Sequence, residues 1–196
     1  MIAIIDSGGA NIASVKFALE RLGAMSVLTD DPAVIADAEK VLLPGVGAAP
    51  VAMQRLIDSG LVDCIRGLTQ PVMGICLGMQ LLFSHSPEGD TLLLGLFDAG
   101  CASFTPAPDR AVPHMGWNRL STRQTHPLLN GVTDGAHVYF VHSFYAPVTQ
   151  DTVASCTYGN DFTAIVARDN FTGCQFHPER SGPVGARILQ NFLELR

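Results

Sequence analysis

Clustered lysine and arginine, paired cysteines and membrane-length apolar runs are all missing from this 196-residue sequence. Lys and Arg total 12 against 18 Asp and Glu, giving a net charge of -6 and a pI of about 5.4. With no basic cluster, the chain lacks the positive stripe that nucleic acid or an anionic membrane needs. No apolar run approaches the ~20 residues of a membrane span. The five cysteines are odd in number, widely spaced and without a C-x-x-C pair. That speaks against a disulfide framework or a structural zinc site and suits the reduced thiols of the cytoplasm. Gly8-Gly9 belongs to neither a G-x-G-x-x-G nor a Walker pattern, so no nucleotide cofactor is expected. Repeats, low-complexity tracts and long linkers are absent. The first residues carry no basic n-region and meet an acid at Asp6, so they read as a core strand, not a signal peptide.

What is present is a chain that is 47% hydrophobic and 15% charged. This suits one domain, 1–196, with a large core. The first half alternates strand and helix patterns. Apolar runs at Ile2–Ile5, Met25–Leu28, Val41–Leu43 and Val72–Ile75 have strand length. Between them Ile12, Val15, Leu19 and Leu22 recur at helical spacing after a capping Asn11, and Asp31-Pro32 is a cap followed by proline in the first turn. Further helices are expected at Pro50–Ser59, Leu61–Ile65 and Leu77–Phe83. The alternation predicts an α/β three-layer sandwich: a central, mostly parallel sheet with helices on both faces. In the second half Tyr139–Phe144, Thr152–Thr157, Ala164–Arg168 and Gly173–Phe176 read as strands without helices between them, expected as antiparallel additions to the sheet. Pro183–Leu195 is a closing amphipathic helix.

The sharpest chemical signal is Gly74-Ile75-Cys76-Leu77-Gly78, a G-x-C-x-G between an apolar strand and an apolar helix. It is the thiol form of the nucleophile elbow. A nucleophile on a sharp turn projects above the sheet, and the flanking glycines remove side chains that would collide where strand and helix cross. The helix start beside the thiol favours its ionised form. The backbone N–H of Leu77 is free to meet a developing oxyanion. The other four cysteines lack this context and read as core or surface thiols.

A thiol nucleophile needs a base that later protonates the leaving amine. His177, in Gln175-Phe176-His177-Pro178-Glu179, follows an apolar strand at the sheet edge where α/β sites gather. Glu179 lies two residues on. An extended segment stiffened by Pro178 would put both on one side, letting the carboxylate orient the imidazole. His142 is the next candidate base. With His114, His126 and His137, however, it reads first as a structural or surface residue. A Cys76/His142/His177 metal site has no tight ligand spacing behind it, so no metal is expected. Trp117, set among His114, Asn118 and Arg119, reads as a core residue or a partly exposed anchor.

These two motifs together resemble the class I (triad) glutamine amidotransferases. Leu43-Pro44-Gly45-Val46-Gly47, Pro113-His114-Met115-Gly116-Trp117-Asn118, Tyr139-Phe140-Val141-His142-Ser143 and His177-Pro178-Glu179-Arg180-Ser181-Gly182 narrow the resemblance to the glutaminase subunits of imidazole glycerol phosphate synthases, over nearly the whole chain. The resemblance implies Cys76, His177 and Glu179 as catalytic triad, with Leu77, Val46 and Gly47 forming the oxyanion hole. It implies L-glutamine held by Gly45, Gly47, Gln80, Ser143 and Phe144. It places Asn11, Trp117, Tyr139 and Arg180 against a (β/α)8-barrel cyclase subunit. That partner would use the ammonia to make imidazole glycerol phosphate and AICAR in histidine biosynthesis. The first turn, Asp6-Ser7-Gly8-Gly9-Ala10-Asn11, departs from the commonest family pattern. So do Arg180, where Lys is common, and Phe144, where Tyr is common. Two other readings remain: another amidotransferase subunit or an ammonia-independent hydrolase on the same fold, or a non-catalytic scaffold that only binds the barrel.

Overall fold

The structure, a computed structural model, describes residues 1–6 and 12–196. Its centre is an eight-stranded sheet in the order Ser26–Thr29, Ile2–Ile5, Lys40–Gly45, Val72–Cys76, Phe171–Cys174, Asn160–Arg168, Thr152–Tyr158, Ser121–Thr122. The pairs from Ser26–Thr29 across to Phe171–Cys174 are parallel, and those beyond are antiparallel. Strand period decides how the layers form. Ile2 and Ile4 face one apolar cluster, shared with Val15 and Leu19 of the helix Ile12–Arg21 and with Ile188 and Phe192 of the helix Gly182–Glu194. Ala3 and Ile5 face the other, filled by Ile35, Met53, Leu56 and Ile65 from three helices of the opposite layer. Local chemistry holds the ends. Asp31 accepts from the Ala33 N–H at 2.8 Å as the N-cap of Pro32–Ala36, and Gly23 takes φ +75° just beyond the first helix. Asn11, expected to cap that helix, lies outside the described residues.

Two strands behave differently from the sequence expectation. His137–His142 does not extend the central sheet. It pairs antiparallel with His114–Arg119 in a separate two-stranded ribbon, with Tyr139 opposite Trp117 and His142 opposite His114. Reading a lone alternating segment cannot say which partner it will choose. The strand before His177, Phe171–Cys174, is parallel to Val72–Cys76, Cys174 opposite Ile75, and antiparallel only to its other neighbour. The hairpin with Asn160–Arg168 reverses the chain and brings it back alongside the cysteine strand in the parallel sense. Both strands therefore deliver the residues just past their ends to the same rim of the sheet.

At that rim the helix Leu77–Leu81 crosses the ends of the central strands at backbone contact. A Cβ on Gly78 would lie 1.7 Å from the Leu43 carbonyl oxygen, and one on Gly74 would lie 2.6 Å from both Gly78 O and Met79 N. The obstacles are backbone atoms, which cannot swing aside. We predict that Gly78→Ala lowers the unfolding free energy by roughly 3 kcal/mol, the upper end of overpacking costs, read as a shifted urea midpoint. An unchanged midpoint would show that the crossing is looser than these contacts require.

Candidate active site

Cys76 ends its strand with φ 54° and ψ -111°, a conformation rare for a residue with a Cβ. Such backbone costs on the order of 1–3 kcal/mol and persists only where the surroundings impose it. Here the glycine crossing imposes it, and the side chain turns into a cavity of about 370 Å³. The helix after it is only Leu77–Leu81, shorter than the expected Leu77–Phe83, so it offers the sulfur no long aligned dipole.

His177 and Glu179 complete a line behind the sulfur. The His177 Nδ1–H donates to Glu179 Oε1 at 2.8 Å, with the Glu179 side chain fully buried. The imidazole also hydrogen-bonds Cys76, which with Nδ1 engaged falls to the other ring nitrogen. The route differs from the extended segment expected: Pro178–Arg180 is a turn of 3-10 helix, and the tight turn swings the carboxylate back under the ring. The base's backbone is anchored to the ribbon. The His177 N–H donates to the Tyr139 carbonyl at 2.9 Å, Tyr139 N–H donates to Ser181 Oγ at 2.9 Å, and that hydroxyl donates to the His177 carbonyl at 2.7 Å.

Burial alone would disfavour charge on His177, but the hydrogen bonds and negative charge of Cys76 and Glu179 outweigh it and push the imidazole up to about 10. Two other imidazoles go the opposite way. His114 falls to about 4 and His142 to about 3, both because burial penalises their charged forms. Neither carries charge at neutral pH, and of the three only His177 is held protonated there.

The cavity is lined by Val46, Gly47, Cys76, Leu77, Gln80, Ser143, Phe144, His177 and Arg180, all singled out from sequence. Gly45 ends the neighbouring strand, facing Cys76 across the ladder. Glu88, Pro113, Val141 and His142 also line it. Glu88 accepts from the Ala49 N–H at 2.7 Å and sits in a loop with no pattern that could have announced it. Gln175 is a further site residue that sequence reasoning missed. It is fully buried and its Nε2 donates to the Cys76 sulfur at 3.7 Å. Its spacing of two from His177 was the available clue, since strand residues i and i+2 share a face. Trp117 is 56% exposed. Its ring meets Tyr139 edge-on with centroids 6.1 Å apart, an aromatic pair on the outer ribbon face. Arg180 is exposed at the cavity mouth. Asn11 lies outside the described residues, so its expected place at a partner is without a structural counterpart.

Comparison with known proteins gives a consistent family. A family model described as glutamine amidotransferase class-I matches residues 3–195. The imidazole glycerol phosphate synthase subunit HisH of Xanthomonas euvesicatoria pv. vesicatoria (strain 85-10) is 54% identical over 194 residues, covering 99% of this chain and 97% of that protein. The protein of the same name from Xylella fastidiosa (strain Temecula1 / ATCC 700964) is 53% identical over the same shares. A solved structure described as glutamine amidotransferase superposes with a TM-score of 0.75 at 19% identity, covering 98% of this chain and 97% of that one. PurLQS from Thermotoga maritima superposes with a TM-score of 0.72 at 20% identity, covering 98% and 97%. At those identities the solved structures speak to the fold alone.

The opposed shifts set a pH dependence of stability. The folded value of His177 lies above the unfolded imidazole's, about 6.5. Its contribution is therefore whole below about pH 6.5 and is lost as pH rises through 10. For His114 and His142 the folded values lie below the unfolded one, so protons bind the unfolded chain preferentially and stability declines as pH falls from about 6.5 toward 4 for His114 and toward 3 for His142. We predict that the unfolding free energy peaks near neutrality. The difference between the protein and its His177→Gln variant should shrink steadily on the alkaline side. Urea unfolding at a series of pH values measures both, and a difference independent of pH would contradict the assignment of His177.

Proposed function

This chain belongs to the class-I glutamine amidotransferase family, and from that membership we propose that it is the glutaminase subunit of an imidazole glycerol phosphate synthase. It hydrolyses L-glutamine to glutamate and ammonia and passes the ammonia to a (β/α)8-barrel cyclase. The observation that carries the reading is the buried line of sulfur, imidazole and carboxylate on the wall of a cavity of about 370 Å³. The relatives named HisH, alike along almost their full length, support the synthase named here over other amidotransferase systems.

In this reading the Cys76 sulfur attacks the carboxamide carbon of glutamine. The imidazolium of His177, stabilised between sulfur and Glu179, gives its proton to the leaving nitrogen. Ammonia departs and a glutamyl thioester remains. Water then attacks the thioester, His177 taking its proton, and glutamate leaves. The backbone N–H groups of Leu77 and of the Val46–Gly47 stretch meet the oxyanion. One such donor is worth about 10²–10³ in rate. Gly45, Gly47, Gln80, Ser143 and Phe144 shape the glutamine pocket, and the carboxylate of Glu88 suits the substrate's ammonium group.

Ammonia released into water would protonate and be lost, so the cavity must open into a partner when it works. Trp117, Tyr139 and Arg180 form the docking face, with Asn11 expected beside them, and the assembly is a heterodimer in the cytoplasm. Among the described residues no helix is long and apolar enough to cross a membrane. The Gly45-Val46-Gly47 backbone, with Gly47 at φ +96°, is the element whose rearrangement on docking would complete the oxyanion hole. Glutamine hydrolysis by the subunit alone should then be slow and rise when the barrel and its nucleotide ligand are added.

Cys76→Ala should abolish glutamine-dependent synthesis by the complex, a loss of at least about 10³-fold, while synthesis from added ammonium salts continues. Glutamate release that survives in this variant would remove Cys76 from its role. Trp117→Ala should weaken binding of the barrel subunit by about 10–100-fold, as for an exposed aromatic anchor. An unchanged Kd in calorimetry would move the docking face elsewhere.

A further inference from the structure

Behind the cavity wall runs a chain of side-chain hydrogen bonds that the hydrolysis of glutamine does not by itself require. Its directions are set by backbone carbonyls, which can only accept. The Phe144 carbonyl accepts from His142 Nδ1 at 2.8 Å and from Gln80 Nε2 at 2.7 Å. On the first branch His142, protonated on Nδ1 and neutral, must accept at Nε2, and it does so from His114 Nδ1 at 2.9 Å. His114 in turn accepts at Nε2 from Asn118 Nδ2 at 3.3 Å. The Asn118 amide cannot flip, because Nδ2 also donates to the Thr157 carbonyl at 3.0 Å and Oδ1 accepts from the Arg119 N–H at 2.8 Å. On the second branch Gln80 gives its other Nε2 hydrogen to Gln175 Oε1 at 2.9 Å. Gln175 is thereby left with Nε2 toward the Cys76 sulfur, 3.7 Å away. Each amide orientation and each tautomer is fixed by the next, so the neutral chain has one arrangement.

We propose that Gln175 is a positioning residue for the nucleophile. Its N–H favours the anionic sulfur and holds it toward the cavity, and its orientation is imposed through Gln80 by the Phe144 carbonyl, whose place the His142–His114–Asn118 chain helps to hold. This deepens the reading of Cys76 as nucleophile and rests on it. Histidine suits the two middle positions because a neutral imidazole donates and accepts at once along one direction. Burial keeps both rings neutral, as their depressed values show, so the chain neither stores nor delivers a proton near neutrality. Its outer end lies on the strand His114–Arg119, which also carries Trp117. A shift of that strand on docking would thus reach the sulfur through hydrogen bonds. The other titratable groups near the sulfur are His177 and, behind it, Glu179, His142 from the ribbon, Cys174 on the adjacent strand, and Glu88 and Arg180 lining the same cavity.

The test needs a readout that loosened packing alone would not move. Iodoacetamide alkylation of Cys76, monitored by peptide mass as a function of pH, reads the sulfur without any substrate. Gln175→Leu keeps the shape and removes the donor. Its alkylation midpoint should rise by about one pH unit, the scale of a hydrogen bond to a charged group. In the full complex kcat for glutamine hydrolysis should fall about tenfold, with KM within about threefold. Gln175→Glu keeps the length, replaces the donor by a carboxylate and should move the midpoint further the same way, so a folding defect in the leucine variant does not decide the matter. His114→Phe should produce the same shift at smaller size. An unchanged midpoint in a folded Gln175 variant overturns the proposal, and an unchanged midpoint in His114→Phe cuts the chain from the sulfur. Shifted alkylation in a protein whose parent hydrolyses no glutamine would sink the activity reading and leave this one standing.

Discussion

The rest of the site depends on one steric constraint, the passage of a helix over strand ends at backbone distance. Gly78 lies against the Leu43 carbonyl, Gly74 against the backbone of Gly78 and Met79, and no side chain could occupy either position. With the crossing so close, the chain must turn within one residue. That residue, Cys76, is held at a positive φ it would not choose alone. The sulfur is thus placed by backbone packing, not by its own preferences, and its partners need only arrive at the same rim.

They arrive because two strands distant in sequence run parallel side by side. Val72–Cys76 carries the proposed nucleophile, and Phe171–Cys174, in register with it, carries Gln175 and His177 just past its end. The hydrophobic core stabilises this pairing from both faces, with Met73 and Ile75 in one cluster and Val72 in the other. The ribbon His114–Arg119/His137–His142 then caps the rim and ties the base's backbone through Tyr139 and Ser181. Its inner side supplies the neutral histidines and its outer side the exposed Trp117 against a half-buried Tyr139. One element therefore touches both the interior polar chain and the surface proposed for docking.

Much of this is legible in the sequence. The elbow is readable because glycine spacing around a nucleophile reflects a steric need that few other arrangements share. The cap at Asp31 and the stop at Gly23 are readable because they are satisfied within two or three residues. The cavity-lining residues come through the family resemblance, not through periodicity. The turn of Pro178–Arg180 reads wrongly as extended, because restraint on the residue before a proline says little about the residues after it. The ribbon reads wrongly as part of the sheet because alternation identifies a strand and not its neighbour. Gln175 and Glu88 give no signal because an uncharged amide in an apolar run and an acid in a loop look like packing and solvation until their partners are seen.

The sequence alone determined the class of fold and singled out Cys76 and His177 as candidates for nucleophile and base, since each rests on patterns contained in short stretches of chain. Tertiary structure alone decided the parallel sense of the base-bearing strand, the separation of the ribbon from the sheet and the direction of every hydrogen bond in the chain that ends at the sulfur. The physical reason is range. Steric and capping rules act between neighbours along the chain. Strand pairing and buried polar networks are settled by groups far apart in sequence, such as Gln80 and Phe144.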